Sequence, residues 1–519
     1  MEKNAILAIA LSVAVLLGFN MLVKPAPMPI KKEAPVSAES SAKGPGNVPA
    51  APETARAAAV PAVPVAPEKE IRVDTSLYSA VFSSRGGVVK SFRLKRYKEA
   101  GEPVEMVTEK AGVLPFTVEP EGVSVQDASN FSYEADKSGL SLAGKEEGTL
   151  RLSFASPDGR TITKNLTFKD GTYIVALSVE VSGIKAYTMY MGDGFGSLTP
   201  GTGKKGYGFV GPLTLVDEQK HKDNPAKLEG LKVYTGKTGW TAVTDKYFLA
   251  AAIPVDGIKA VILKGLSPWG MVGLEEPADG GIPKHEDFLV YIGPKELDML
   301  KAAGHDLDRA VDFGIFTIIA KPLFIALKFF YNIVGNYGWA IIIITVIIKL
   351  LFAPLTHKSQ KSMKKMQKLQ PLFAELKEKY KGDPARLNRE MMELYKKHKV
   401  NPMGGCLPMV IQIPVFIALY NVLNNAIDLR QAPFAFWLHD LSAKDPYYVL
   451  PILMGLSMLV MQKMTPTSMD PKQNMMMMLM PLFLTFMFIN LPSGLVLYFT
   501  VSNLLSMAQQ FYINKYSSD

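Results

Sequence analysis

The chain has 519 residues, enough for roughly two to four structural units at about 100–200 residues each. Hydrophobic residues make up 48% and charged residues 20%, both near the globular average, so averaged composition separates neither membrane from soluble proteins. A single cysteine, Cys406, excludes an intramolecular disulfide and any multi-cysteine metal or iron–sulfur site; six histidines leave little for a histidine-rich site, and the net charge of +9 is unevenly placed.

The opening Met-Glu-Lys precedes an uncharged apolar run from Ala5 to Val23, about long enough to span a bilayer core. No clean small-x-small cleavage site follows, Lys24-Pro25 closes the run, and no nearby cysteine permits lipoprotein processing. Residues 1–23 read as an uncleaved transmembrane anchor, with a cleaved signal peptide as the alternative. Residues 24–70 hold ten Pro, twelve Ala and no aromatic residue, a composition that builds a semi-extended linker and no core. Over residues 71–305 the texture changes to short apolar–polar alternations such as Leu166-Thr167-Phe168 and Ile174 to Val179. Turn signals such as Arg85-Gly86-Gly87 and Lys169-Asp170-Gly171 separate them. That spacing predicts a β-sandwich domain facing water.

From residue 306 the pattern becomes helical. Ala310 to Phe330 is apolar but interrupted by Asp312, Lys321 and Lys328, and the two lysines, seven apart, share a helix face, which predicts an amphipathic helix along a membrane surface over residues 306–330. Residues 331–356 predict the second span, with Lys349 inside it, and residues 357–400 a basic helical hairpin broken at Lys381-Gly382-Asp383-Pro384. Uncharged stretches predict further spans at 401–427 and 447–463, joined by a loop at 428–446. Met475 to Asn514 has no charged residue, and Asn490 to Gly494 divides it into spans at 475–490 and 493–514. Between His357 and Lys399 there are thirteen Lys/Arg and five Asp/Glu, whereas the 428–446 loop has only Arg430 and Lys444 as basic residues. The positive-inside rule then places the hairpin in the cytoplasm and the β domain outside, in the periplasm of a Gram-negative cell.

Lys349 is the sharpest residue. An ammonium at mid-depth costs about 2.5–3.5 kcal/mol on insertion scales, so it should face a wet or protein-lined interior, with Thr345 one turn earlier on the same face; snorkelling to the cytoplasmic surface is the alternative. No carboxylate lies within the five C-terminal spans, which excludes a proton relay through an intramembrane acid. There is no Ser/His/Asp order, HExxH, Walker loop or dinucleotide fingerprint, and nothing argues for an enzyme or a cofactor. The hairpin either packs on itself and sets topology or docks an anionic partner such as ribosomal RNA or anionic lipid. The 26 methionines, four of them consecutive at Met475 to Met478, suit either lipid-facing filler or a surface for varied apolar partners. A solute transporter and a structural anchor for the β domain are the competing classes; the lack of an internal repeat weighs against the first.

Three stretches carry a resemblance. Asn401-Pro402-Met403-Gly404-Gly405-Cys406-Leu407-Pro408 with Gln412-Ile413-Pro414-Val415-Phe416, Leu429-Arg430-Gln431-Ala432-Pro433-Phe434 running into Trp437 to Tyr448, and Leu491-Pro492-Ser493-Gly494-Leu495-Val496-Leu497-Tyr498 resemble the YidC/Oxa/Alb family of membrane protein insertases in its Gram-negative form. Gly239-Trp240 and Asp245 to Leu249 add fainter matches in the β region.

The resemblance implies a polytopic α-helical membrane protein of six transmembrane helices, five forming an insertase core, with a large periplasmic β-sandwich domain. It also implies a hydrophilic groove open to cytoplasm and lipid, in which Lys349 falls on the family's single basic position, where Arg is the best-known form. Gln412 and Phe499 fall on groove-lining positions. Phe499 departs from the frequent Tyr or Trp, and Tyr498 would partly replace that hydroxyl. Thr345 falls on a substrate-contact position. The implied partners are nascent membrane proteins, the Sec translocon, the ribosome or signal-recognition targeting machinery through the hairpin, and membrane lipids. No small-molecule substrate, nucleotide, cofactor or metal is implied. The implied location is the inner membrane, multi-pass, with both termini cytoplasmic. The short tail Lys515 to Asp519 lacks the long basic extension by which some relatives grip ribosomes.

Overall fold

The computed structural model describes residues 67–108, 111–194, 209–228, 230–255, 259–263, 270–277, 284–398, 400, 407–464 and 471–516. The expected N-terminal anchor and nearly all of the linker lie outside them, as do residues 401–406 at the start of the expected third span.

Alternation becomes strand between Glu70 and Pro294. Thr161–Lys169 and Ile174–Ser182 pair antiparallel with Val175 opposite Phe168, and Ile174–Ser182 pairs on its other edge with Lys284–Pro294, Val175 opposite Val290. Every second residue of both central strands is buried. The expected two-layer sandwich resolves into three sheets, one of nine strands and two of five. Nine strands at about 4.8 Å spacing span roughly 40 Å, about twice what five strands cover, which accounts for the second five-stranded sheet. All three sheets feed one hydrophobic core, with Phe82 and Phe92 from one, Leu166 and Val175 from the long one, and Met189 and Leu274 from the third.

One buried position in the long sheet carries a charge. Lys164 stands opposite Val179, fully buried, where the alternation calls for a hydrophobe. Its ammonium donates to the carbonyls of Phe116 (2.7 Å), Gly86 (2.9 Å) and Gly87 (3.1 Å) and lies 4.5 Å from the centre of the Tyr133 ring. Burial pushes this lysine down to about 7; the three carbonyls and the ring face act in the opposite sense. Gly86 and Gly87 turn with φ of +71° and +59°, and a Cβ on Gly87 would sit 3.2 Å from the lysine nitrogen, so the Arg85-Gly86-Gly87 turn is shaped around this cation.

The helical part begins with α1 (Leu297–Ala303) and α2 (Thr317–Val334). α2 buries Ala320, Phe324 and Leu327 and exposes Ile318, Ile325, Phe329 and Ile333; Gly335, at φ +67°, ends it with its N–H on the Tyr331 carbonyl. Its two lysines turn toward the β domain: Lys321 lies 3.6 Å from Asp308, and Lys328 lies 2.6 Å from Asp298, 3.2 Å from Asp428 and 3.8 Å from Glu296.

α3 (Tyr337–Lys368) runs unbroken, so the expected boundary between span and hairpin at residue 357 is not a break. At 1.5 Å per residue it is about 48 Å long, well beyond a hydrocarbon core of about 30 Å. The basic part of the expected hairpin therefore begins as a rigid extension of the span. α4 (Gln370–Lys379) and α5 (Pro384–Lys397) form the rest, with Asp383 capping α5 through the Arg386 N–H at 2.9 Å. α6 (Leu407–Asn425), α7 (Val449–Met464), α8 (Pro471–Phe488) and α9 (Ser493–Tyr516) complete the helices. By length and apolarity, Thr317–Val334 and Tyr337–Met366 suffice to cross a membrane, and Val410–Asn425, Val449–Met464 and Met478–Phe488 are shorter apolar segments.

The 428–446 loop locks one end of this bundle. Asn336 caps α3 by accepting from Gly338 N (2.8 Å) and Trp339 N (3.2 Å) and donates to the Phe434 carbonyl at 3.0 Å. A Cβ on Gly338 would overlap the Phe434 ring, so glycine is needed for that approach. The buried Asp445 carboxylate accepts from Trp437 Nε1 (3.0 Å), Tyr447 N (3.0 Å) and Leu450 N (2.7 Å) at the start of α7. Ser493 N and Gly494 N, opening α9, donate to the loop carbonyls of Ala443 and Leu441.

Lys164→Met keeps a long unbranched chain but leaves three buried carbonyls without their donor. It should destabilise the β domain by at least about 2 kcal/mol, read as a lowered first transition in thermal unfolding of the full chain, whereas Lys137→Met on the surface should leave that transition in place.

Candidate functional site

Lys349 lies on α3 about 18 Å from the helix start, at twelve residues of 1.5 Å rise. Its ammonium donates to Ser506 Oγ on α9 at 2.8 Å, and Ser506 in turn donates to the Ser502 carbonyl at 2.9 Å. No carboxylate pairs with Lys349 among the described residues. The charge is thus held by neutral oxygen and left uncompensated.

It faces a cavity of about 290 Å³ between α3, α6, α7 and α9. α3 contributes Lys349, Thr356, Ser359 and Gln360; α6 contributes Gln412; α7 contributes Met461; α9 contributes Phe499, Ser502, Asn503, Ser506 and Gln510. The α9 residues recur at threes and fours, which places them on one helix face. The α9 side of the wall is therefore a polar stripe, and Phe352, Leu355 and Met363 of α3 with Ile411 of α6 make the rest largely apolar. Asn503 Nδ2 donates to Ser457 Oγ at 3.2 Å, tying the stripe to α7. Gln360 Oε1 is buried with no protein partner among the described residues, an acceptor suited to water or to a polar group of a substrate. Lys349 also borders a second cavity of about 330 Å³ between α3 and α9, together with His357, Gln509 and Tyr512.

The structure brings together three of the five expected site residues around the first cavity: Lys349, Gln412 and Phe499. Phe499 meets Phe488 edge-on at 4.8 Å and Phe416 at 5.0 Å, forming an aromatic wall. Tyr498 is buried behind that wall, and its hydroxyl accepts from Gln412 Nε2. It therefore orients a lining residue and offers no hydroxyl to the cavity in place of Phe499. Thr345 does not line the cavity: it is 1% exposed and donates to the Ile341 carbonyl one turn back at 2.7 Å. Sequence reading missed Ser502, Asn503, Ser506 and Gln510 on α9 and Ser359 and Gln360 on α3. The available signal for the α9 residues is their helical spacing inside a run that stands out only for lacking charge, whereas Ser359 and Gln360 are neutral polar residues among the lysines of the 357–400 segment.

The profile of the 60Kd inner membrane protein family matches residues 329–519, and that of the YidC periplasmic domain matches residues 70–326. The membrane protein insertase YidC of Geotalea uraniireducens is 44% identical over 542 residues, covering 99% of each chain. That of Geobacter metallireducens is 43% identical over 537 residues, covering 99% of this chain and 98% of its own. The chain belongs to the YidC family of membrane protein insertases. A solved structure of an active YidC insertase, with its first transmembrane domain resolved, is 22% identical, covers 86% of this chain and 93% of its own, and superposes with a TM-score of 0.40. The β domain is accordingly the YidC periplasmic domain, the apolar helices belong to an inner-membrane protein, and the YidC family mediates membrane protein insertion rather than enzymatic chemistry. Nascent membrane proteins are its clients.

In this chain, Tyr498→Phe should cost about 1 kcal/mol in unfolding free energy by stranding Gln412, and Tyr498→Phe with Gln412→Leu should recover part of it by removing both polar partners. A double-mutant cycle in thermal or denaturant unfolding checks the sign.

Proposed function

We propose that the Lys349 cavity is the groove through which this insertase admits the polar flank of a client segment. The observation that carries the reading is an ammonium held by Ser506, bordered by a polar stripe, with no carboxylate opposite it among the described residues. A hydrophobic segment gains free energy by entering lipid, and the barrier is its polar or acidic flank. An acidic group within the membrane costs about 2.5–3.5 kcal/mol on insertion scales, while a unit charge at 4 Å offers about 4 kcal/mol at an effective dielectric of 20. One lysine is therefore of the right size to offset one acid. Lys is a point charge without the planar fork of Arg, so the pairing is attraction rather than bidentate capture. The client then leaves along the exposed apolar faces of α6 (Val410, Ile413) and α8 (Met478, Leu482, Phe486).

The finer topology belongs to the same reading: six spans, with both termini in the cytoplasm, α2 lying along the outer membrane surface and the basic α3 extension with α4 and α5 inside. Support comes from the Lys321 and Lys328 pairings toward the β domain and from the excess of basic residues between His357 and Lys399. The hairpin serves as a docking arm for the ribosome or the signal-recognition targeting machinery, and the protein works alone on small clients and beside the Sec translocon on larger ones, in contact with membrane lipids. Thr345 supports the helix beneath the groove, and Gln412, Tyr498 and Phe499 shape its wall.

The test is reconstitution. Liposomes with only this protein should protect the acidic outer tail of a one- or two-span client from protease. Lys349→Ala and Lys349→Glu should lower that protection, the second more, and Lys349→Arg should keep it. Equal protection by all four proteins, each shown to be folded and oriented, would remove the charge from the mechanism.

A further inference from the structure

A second cavity lies where the β domain meets the outward end of α6. It has a volume of about 350 Å³ and is lined by Lys222, Lys246 and Lys295 from the β domain, by Asp312 from the segment leading into α2, and by Asn421 and Asn425 from the last turn of α6. Lys222 pairs with Asp312, the only lining carboxylate among the described residues, and Lys295 donates to the Asp245 carbonyl. Lys246 lies 4.7 Å from the centre of the Tyr247 ring and makes no ion pair among the described residues. Behind the lining, Lys220 (on the Arg309 carbonyl at 3.0 Å) and Arg309 add two positive charges, and Asp245 adds one negative. The surroundings keep an excess of about three positive charges, which the half-unit of negative charge at the C-terminus of α6 does not cancel. Burial lowers Lys295 to about 8; Asp245 and Asp312 act in the opposite sense, and Lys222 and Lys220 act more weakly in the same sense as burial.

We propose that this cavity binds a phosphate-bearing anion, supplied by the headgroup of an anionic phospholipid in the outer leaflet. Lysines offer point charges to a phosphate, which suits a ligand that approaches from the membrane plane. The lipid source follows from position. The cavity sits at the end of an apolar helix and beside the entry to α2, where Ile315, just before the helix, and Ile318, in its first turn, are 85% and 90% exposed, so acyl chains have an apolar surface beside the charged hole. A bound headgroup would bridge the β domain to α6 and fix their junction.

The experiment uses the full chain in neutral detergent, with thermal unfolding and native mass spectrometry under three additions: phosphatidylglycerol, phosphatidylcholine and inorganic phosphate. Phosphatidylglycerol should raise the unfolding temperature and remain bound, and phosphatidylcholine should do neither. Lys222→Gln with Lys246→Gln should weaken the effect about tenfold, whereas Lys358→Gln with Lys361→Gln on the basic extension of α3 should leave it. Asp312→Asn, which removes the lining carboxylate, should strengthen it. If the double variant does not fold, Lys246→Gln alone serves, since that ammonium makes no ion pair among the described residues. A shift by inorganic phosphate equal to that by phosphatidylglycerol, and lost in the variant, would support the anion site and replace the lipid with free phosphate as occupant. Unchanged phosphatidylglycerol binding in the variant, or no response to either anion, would overturn the proposal.

Discussion

A positive charge among apolar helices must be hydrated, paired or held by neutral oxygen, and Lys349 sets this constraint for the membrane part of the chain. The chain uses neutral oxygen: Ser506 receives the ammonium. That choice fixes much else. α9 must approach α3 closely enough for a 2.8 Å bond, so the facing positions at Ser502, Asn503 and Ser506 are small or short. A carboxylate partner would have neutralised the charge. With serine as its partner, the lysine keeps its full field, and the polar stripe keeps the surroundings wet enough to tolerate it.

Such an arrangement works only if the bundle is closed at one end and open at the other. The 428–446 loop supplies the closure with several independent clasps: Asn336 to the Phe434 carbonyl, Asp445 to the start of α7, and the Ala443 and Leu441 carbonyls to the start of α9. Each clasp also satisfies helix-terminal N–H groups that would otherwise be orphaned at the membrane boundary. The loop sequence, dense in Asp, Pro and aromatic residues, is therefore a set of caps as much as a connection, and its string-like specificity follows from the number of distinct partners it must meet.

Much of this was legible in the sequence. Alternation gave strands such as Thr161–Lys169 and Ile174–Ser182, uncharged runs gave the apolar helices, and Lys349 stood out because charge in such a run is expensive. What was not legible depended on partners distant in sequence. Lys164 interrupts a strand pattern and looks like a surface residue until the carbonyls of Gly86, Gly87 and Phe116 are brought over it. Thr345 shares the Lys349 face, yet its hydroxyl is consumed by its own helix, an option open to any threonine and invisible to spacing. The adjacent pair Tyr498 and Phe499 divides into a buried orienting hydroxyl and a lining ring, because successive helix residues point about 100° apart. The run of charge at 357–399 predicted a separate hairpin, whereas its first third continues α3, since nothing at residue 357 breaks a helix.

Lys328 shows how the two parts of the molecule are joined. It stands on α2, a helix anchored to the bundle by Phe324 and Leu327, and it reaches Asp298 beside the β domain and Asp428 at the end of α6. Tyr97 of the β domain donates to Glu296 of the same cluster at 3.3 Å, and Gln431 donates to the Lys98 carbonyl at 2.8 Å. Exposed ion pairs contribute little singly, but Asp428 is buried, and a buried carboxylate without its cation would cost several kcal/mol. The junction is thus held by a small number of charged groups whose loss is penalised, together with apolar packing in which Leu300, Leu307, Ala310 and Ile427 join the β-domain core. Such a joint is stiff when fully paired and sensitive to any charged group that competes for its members.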